Sequence, residues 1–123
     1  MMNDMRKKLF ISCPAYGRTA ENVVKTIEKL HKIAEIIFEK ELDVIESLMV
    51  DELDRETTNE DIARHVYGVG QADYFIGVDD ISGRPWFNIC DTEKKIAENR
   101  GIPVICLKAA YMTPDIYETR ETV

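Results

Sequence analysis

Glu93 is the residue whose placement suits chemistry best. It falls in the first turn of an expected helix over residues 90–100, and Ile89, Glu93, Ile96 and Ala97 share one helical face. That face packs on a sheet, so the carboxylate is directed inward, close to the positive end of the helix dipole. A carboxylate held this way can attack an anomeric carbon. The plainer alternative is a helix-start acid bonded to nearby N–H groups.

A second feature is the run Ser12-Cys13-Pro14-Ala15-Tyr16-Gly17-Arg18-Thr19, which joins a strand to a helix N-terminus. Unpaired amides, a glycine, hydroxyls and a guanidinium together suit a phosphate or a sugar hydroxyl. It is neither a Walker loop nor a full GxGxxG, and an ordinary capped turn explains it equally well. His65 sits under two turns into another helix, on a face expected to hold Ile62, Val66 and Val69. It could trade a proton with a leaving base, or be a satisfied core histidine. Asp79 and Asp80 follow an expected strand and could orient a base, although loop acids are often simply solvated. Trp86 and Phe87 could stack on that base or close the lid and Tyr16 could cover the sugar, or all three could be core. Cys13 and Cys90 fall near the same rim. With no CxxC or HxxxH spacing, no metal is expected, and attack of a carboxylate on an anomeric carbon calls for no organic cofactor.

These residues need a scaffold, and the patterning predicts one. Short apolar runs at residues 8–12, 42–49, 73–78 and 102–107 read as strands. Helices are expected over residues 19–40, with Thr19 as N-cap and Val23, Ile27, Leu30, Ala34, Ile37 and Phe38 inward, and from a capping box at Thr57-Thr58-Asn59-Glu60. A third helix ends at Gly101, a favoured C-cap residue. Residues 51–56 read as a charged, solvated loop, and residues 79–89 as a loop holding Gly83 and Pro85. Alternating strand and helix imply an α/β fold with a parallel sheet, right-handed crossovers and strand order 2-1-3-4. The order reverses between the first and third strands, and ligands bind there, outside the carboxyl ends.

At 123 residues, one domain is expected, with a core over residues 8–107 and a tail over 108–123. The net charge of −7 disfavours non-specific nucleic-acid binding. No apolar run approaches a membrane span, the start does not read as a signal peptide, and three cysteines cannot pair completely. A cytoplasmic location is therefore expected.

Three stretches carry a family resemblance. Phe10-Ile11-Ser12-Cys13-Pro14-Ala15-Tyr16-Gly17-Arg18-Thr19 resembles an opening "FISQPMxGxT", with Cys13 where Gln is usual. Gln71-Ala72-Asp73, then an apolar strand with Gly77-Val78, resembles a third strand. Cys90-Asp91-Thr92-Glu93, Ala97 and Arg100-Gly101-Ile102 resemble a "GCxxE...A...GI" helix. In order and spacing they resemble the nucleoside 2-deoxyribosyltransferase-like superfamily, most of all a small phage and prophage family of largely unassigned function. The resemblance implies a flavodoxin-like Rossmannoid sandwich and a homo-oligomer whose neighbour completes the pocket, a role open to the tail with Tyr111 and Tyr117. It implies a nucleoside or nucleotide as the small-molecule partner. Glu93 would be the nucleophile on C1 of a deoxyribosyl group, and Arg18 and Thr19 would hold a 5′-phosphate. Two departures stand out. Active members carry an Asp where this chain has His65, and the small residues before the nucleophile are replaced by Asn88, Ile89 and Asp91. These departures bring in a second expectation, a non-catalytic nucleotide binder acting as a sponge or sensor, and a third, a purely structural module.

Overall fold

The computed structural model describes residues 6–13, 19–46, 48, 52–53, 56–78 and 89–107. They form β1 (Lys7–Ser12), α1 (Ala20–Phe38), β2 (Leu42–Ile45), α2 (Asn59–Gly70), β3 (Tyr74–Val78), α3 (Ile89–Arg100) and β4 (Val104–Leu107). The four strands make one sheet in the order β2-β1-β3-β4, and every pairing is parallel. The sheet order expected from the sequence is therefore the one observed.

Successive residues of β1 point to opposite faces, and this sorts the core into two layers. Leu9 joins Leu30 and Ala34 of α1, with Ile76 and Val78 of β3. Phe10 joins Val69 of α2, Phe75 of β3 and Ala97 of α3. Helix α1 thus covers one face of the sheet, and α2 and α3 cover the other. Phe10 and Phe75 are register partners on the central strands, and their rings stack 5.8 Å apart at 7°. Such a pair contributes roughly 0.5–1.5 kcal/mol beyond its buried area.

The structure corrects several local expectations. Strand β2 stops at Ile45 rather than running to Met49. The chain leaves the sheet edge there, and Leu48 and Leu53 pack on Cys13 and Val23 instead. Segment 51–56 is not simply solvated, because Glu52 and Leu53 are both buried. Helix α1 ends at Phe38, where Glu39 adopts a left-handed φ of 56°. Phe38 lies on the Tyr74 ring at 4.3 Å, and Ile37 is left half-exposed. Thr19 caps α1 as expected, accepting from the Asn22 N–H.

The α2 capping box is one residue later than Thr57/Glu60. Thr58 accepts from the Asp61 N–H, and the Asp61 carboxylate accepts from the Thr58 N–H. The inward face of α2 is Asp61, His65, Gly68 and Val69, while Val66 is exposed. The reason is steric and polar together. A Cβ on Gly68 would lie 2.9 Å from Phe10 Cε2, so only a bare residue allows α2 to come this close to β1. That approach also turns Asp61 and His65 inward, where both have polar partners.

Gly68→Ala tests this packing. Alanine normally gains about 0.5–1 kcal/mol over glycine inside a helix. Here the added methyl meets a stacked, buried ring, and overpacking costs about 1–3 kcal/mol. The expected net result in urea denaturation is a loss of roughly 1–2 kcal/mol, the reverse of the helix-propensity expectation.

Candidate functional site

The carboxyl end of β1 and the start of α3 meet at the sheet rim between the two central strands. Ser12 is the last residue of β1 and pairs in register with Gly77 of β3. A Cβ at Gly77 would lie 3.2 Å from the Ser12 Cβ, so the glycine makes room for the serine. Glu93 reaches the same point from the first turns of α3, and only 2% of it is exposed. The Ser12 hydroxyl donates to Glu93 Oε1 at 2.6 Å.

The other carboxylate oxygen faces α2. His65 Nδ1 lies 2.5 Å from Glu93 Oε2, and His65 Nε2 lies 2.9 Å from Glu52 Oε1. The ring is 4% exposed, with its edge towards Phe10 at a centroid distance of 6.5 Å. Behind it, Arg64 Nη2 donates at 2.7 Å both to Glu52 Oε2 and to Asp61 Oδ1. The Asp61 carboxylate also serves the α2 cap. A continuous polar chain therefore runs Ser12–Glu93–His65–Glu52–Arg64–Asp61 through the layer between the sheet and α2.

The electrostatics of this chain follow from its composition. Burial opposes a charge on the imidazole. The hydrogen bond and negative charge of Glu93, with the charge and hydrogen bond of Glu52, outweigh that burial and raise the His65 pKa above its ordinary value. The imidazolium form also satisfies both contacts, because only a doubly protonated ring donates to two carboxylates at once. Alternating charges along the chain offset the cost of taking each from water.

Beside this chain is a shallow cleft outside the carboxyl ends of β3 and β4. Ser12, Gly77, Val78, Cys90, Asp91, Lys94 and Cys106 are among its lining residues. Neither Cys90 nor Cys106 is part of a disulfide. Among the described residues, no group of His, Cys, Asp and Glu could hold a metal ion, and no helix is long and apolar enough to cross a membrane.

The structure thus brings together Ser12, His65 and Glu93, with Cys90 lining the same cleft as Ser12. Cys13 is buried against Val23 and Leu53, and the Thr19 side chain serves the α1 cap. Pro14, Tyr16, Gly17, Arg18, Asp79, Asp80 and Trp86 lie outside the described residues. Sequence reasoning missed Glu52, Asp61 and Arg64. The spacing of Asp61 and His65, four residues apart, is a usable sign of one shared face. Nothing local marks Glu52, which meets His65 across thirteen residues of sequence.

The raised pKa has a measurable consequence. The folded state holds the His65 proton more tightly than the unfolded chain, whose imidazole titrates near 6.5. The extra stability is full below that value and is lost as pH rises through the folded pKa. Urea denaturation of the wild type should show unfolding free energy falling as pH increases above about 6.5, and His65→Gln should remove that component of the slope.

No protein-family model matches the chain, and no curated protein matches it. Among solved structures, the chain is similar to the CMP N-glycosidase BcmB of Clostridium botulinum, at 19% identity and a TM-score of 0.48, over 83% of this chain and 69% of that one.

Proposed function

We propose that this protein breaks the N-glycosidic bond of a nucleoside or nucleotide, with Glu93 as nucleophile, and passes the glycosyl group to water or to a second base. One observation carries the reading: a buried carboxylate at the sheet's switch point is fixed through both oxygens, by Ser12 at 2.6 Å and His65 at 2.5 Å. A carboxylate is a weak nucleophile in water, and orientation and exclusion of water are what it needs. Two accepted hydrogen bonds still leave it lone pairs for attack.

In the first step a Glu93 oxygen bonds to C1′ as the C1′–N bond breaks. The electron pair leaves on the base nitrogen, which takes up a proton. In the second step water attacks C1′, loses a proton and releases the Glu93 carboxylate, or the nitrogen of a second base does so in transfer. His65 acts through Glu93 rather than on the leaving base, because both its ring nitrogens face carboxylates. In this reading Arg18 and Thr19, with Gly17, hold a phosphate or sugar hydroxyls. Asp79 or Asp80 orients the base, Trp86 stacks on it, Tyr16 covers the sugar, and a neighbouring copy completes the pocket.

A second reading is a non-catalytic nucleotide binder. It is favoured by the commitment of both Glu93 oxygens to internal partners, with a cation beside them.

The discriminating experiment is chromatography of free bases after incubation with nucleosides and 5′-monophosphates. The wild type should release base, and Glu93→Gln should lose that activity by more than about a thousandfold while still binding ligand by calorimetry. Equal release by the variant would remove Glu93 from the chemistry. Binding without release by either protein would select the binder.

A further inference from the structure

The contacts behind His65 have no part in the steps above, and they point to a further functional residue. Glu52 lies in a short turn between β2 and α2, 8% exposed although its neighbourhood in sequence is strongly charged. One of its oxygens faces His65 Nε2 at 2.9 Å, and the other accepts from Arg64 at 2.7 Å. Arg64 is itself held by Asp61 at 2.7 Å, and Asp61 is fixed by the α2 cap. The glutamate is therefore tethered on the side away from Glu93.

We propose that Glu52, tethered by Arg64, is a positioning residue for Glu93 that acts through the His65 ring. The proposal rests on the reading of Glu93 as the reacting group. With one ring proton, His65 would set a bare nitrogen lone pair against a carboxylate oxygen, at 2.5 Å on one side or 2.9 Å on the other. With two, it donates to both acids, and its plane and rotamer are set by Glu52 as much as by Glu93. Glu52 thus keeps a cation against Glu93 Oε2 and keeps that oxygen aimed. Among the described residues, the charged groups around the ring are Glu93 from α3, Glu52 from the turn, and Asp61 and Arg64 from its own helix. Strand β1 presents the uncharged Phe10 ring. An outer partner of this kind is known to orient an inner ligand, and its loss is felt at the inner group.

The test is nitrogen-detected NMR of the imidazole rings, read beside base release. The chain has two histidines, so His31 serves as the internal reference. In the wild type both His65 nitrogens should be protonated at pH 6, and the titration midpoint should lie above that of a free imidazole. Glu52→Gln should lower the His65 midpoint, leave His31 unchanged, and move the basic limb of the kcat profile to lower pH. The kcat should fall about 10- to 100-fold with KM little changed, as expected for loss of one charge-assisted hydrogen bond. Glu52→Asp, which keeps the charge but shortens the reach, should shift both readouts in the same direction by less. A wild-type His65 ring carrying one proton at pH 6 would overturn the proposal, and this needs no variant to fold. So would a His65 midpoint unmoved by Glu52→Gln. If Glu93→Gln instead released base at the wild-type rate while Glu52→Gln still shifted the midpoint, the clamp on His65 would stand and the catalytic reading of Glu93 would fall.

Discussion

A carboxylate with 2% exposure cannot stand alone inside a protein, and much of this structure reads as the answer to that constraint. Glu93 is answered by a hydroxyl from β1 and an imidazole from α2. The imidazole in turn needs a second acid, which comes from Glu52, and that acid needs a guanidinium, which comes from Arg64. Each group is costly unpaired and acceptable paired, so the chain is all-or-none in character. Four separate elements contribute to it: β1, the turn after β2, α2 and α3. Their relative positions are thereby constrained by polar contacts as well as by apolar packing.

The apolar core makes this arrangement possible. Phe10 and Phe75 stack on the central strands and present a flat surface to α2. Gly68 lets that helix settle against Phe10, which places the His65 ring edge-on to the same aromatic. Ala97, fully buried one turn after Glu93, does the equivalent for α3, and Arg100 ties the end of α3 to the carbonyls of Val69, in the last turn of α2, and Ala72, just beyond it. Small residues at close approaches set the helix positions, and the helix positions set the acid and the imidazole within hydrogen-bond reach. A methyl added at such a contact would act on the site without touching it.

The site also illustrates how a parallel sheet serves chemistry. Strand order reverses between β1 and β3, so the connections from their carboxyl ends run to opposite faces and leave a crevice. Ser12 ends one of these strands, and Gly77 is its bare neighbour on the other. The helix dipole of α3 starts at the same rim. An acid there can be held in place by the fold yet remain beside a cleft whose lining includes Ser12, Cys90 and Lys94.

The sequence alone determined the alternation of strands and helices, the order 2-1-3-4 and the rim on which Glu93 lies, because these follow from periodicity, caps and crossover rules that act locally. It also singled out Ser12 and His65. It placed His65 and Val69 on the inward face of α2 but counted the exposed Val66 with them and left out Asp61 and Gly68, because the close approach of Gly68 to Phe10 that sets this face is a tertiary contact. It took Glu52 for a solvated acid, because nothing in a charged run distinguishes a carboxylate that finds a cation across the fold. Pairing between distant charges is a property of three-dimensional distance, and so the partner of His65, the charge on its ring and the depth at which Glu93 lies were decided by the tertiary structure.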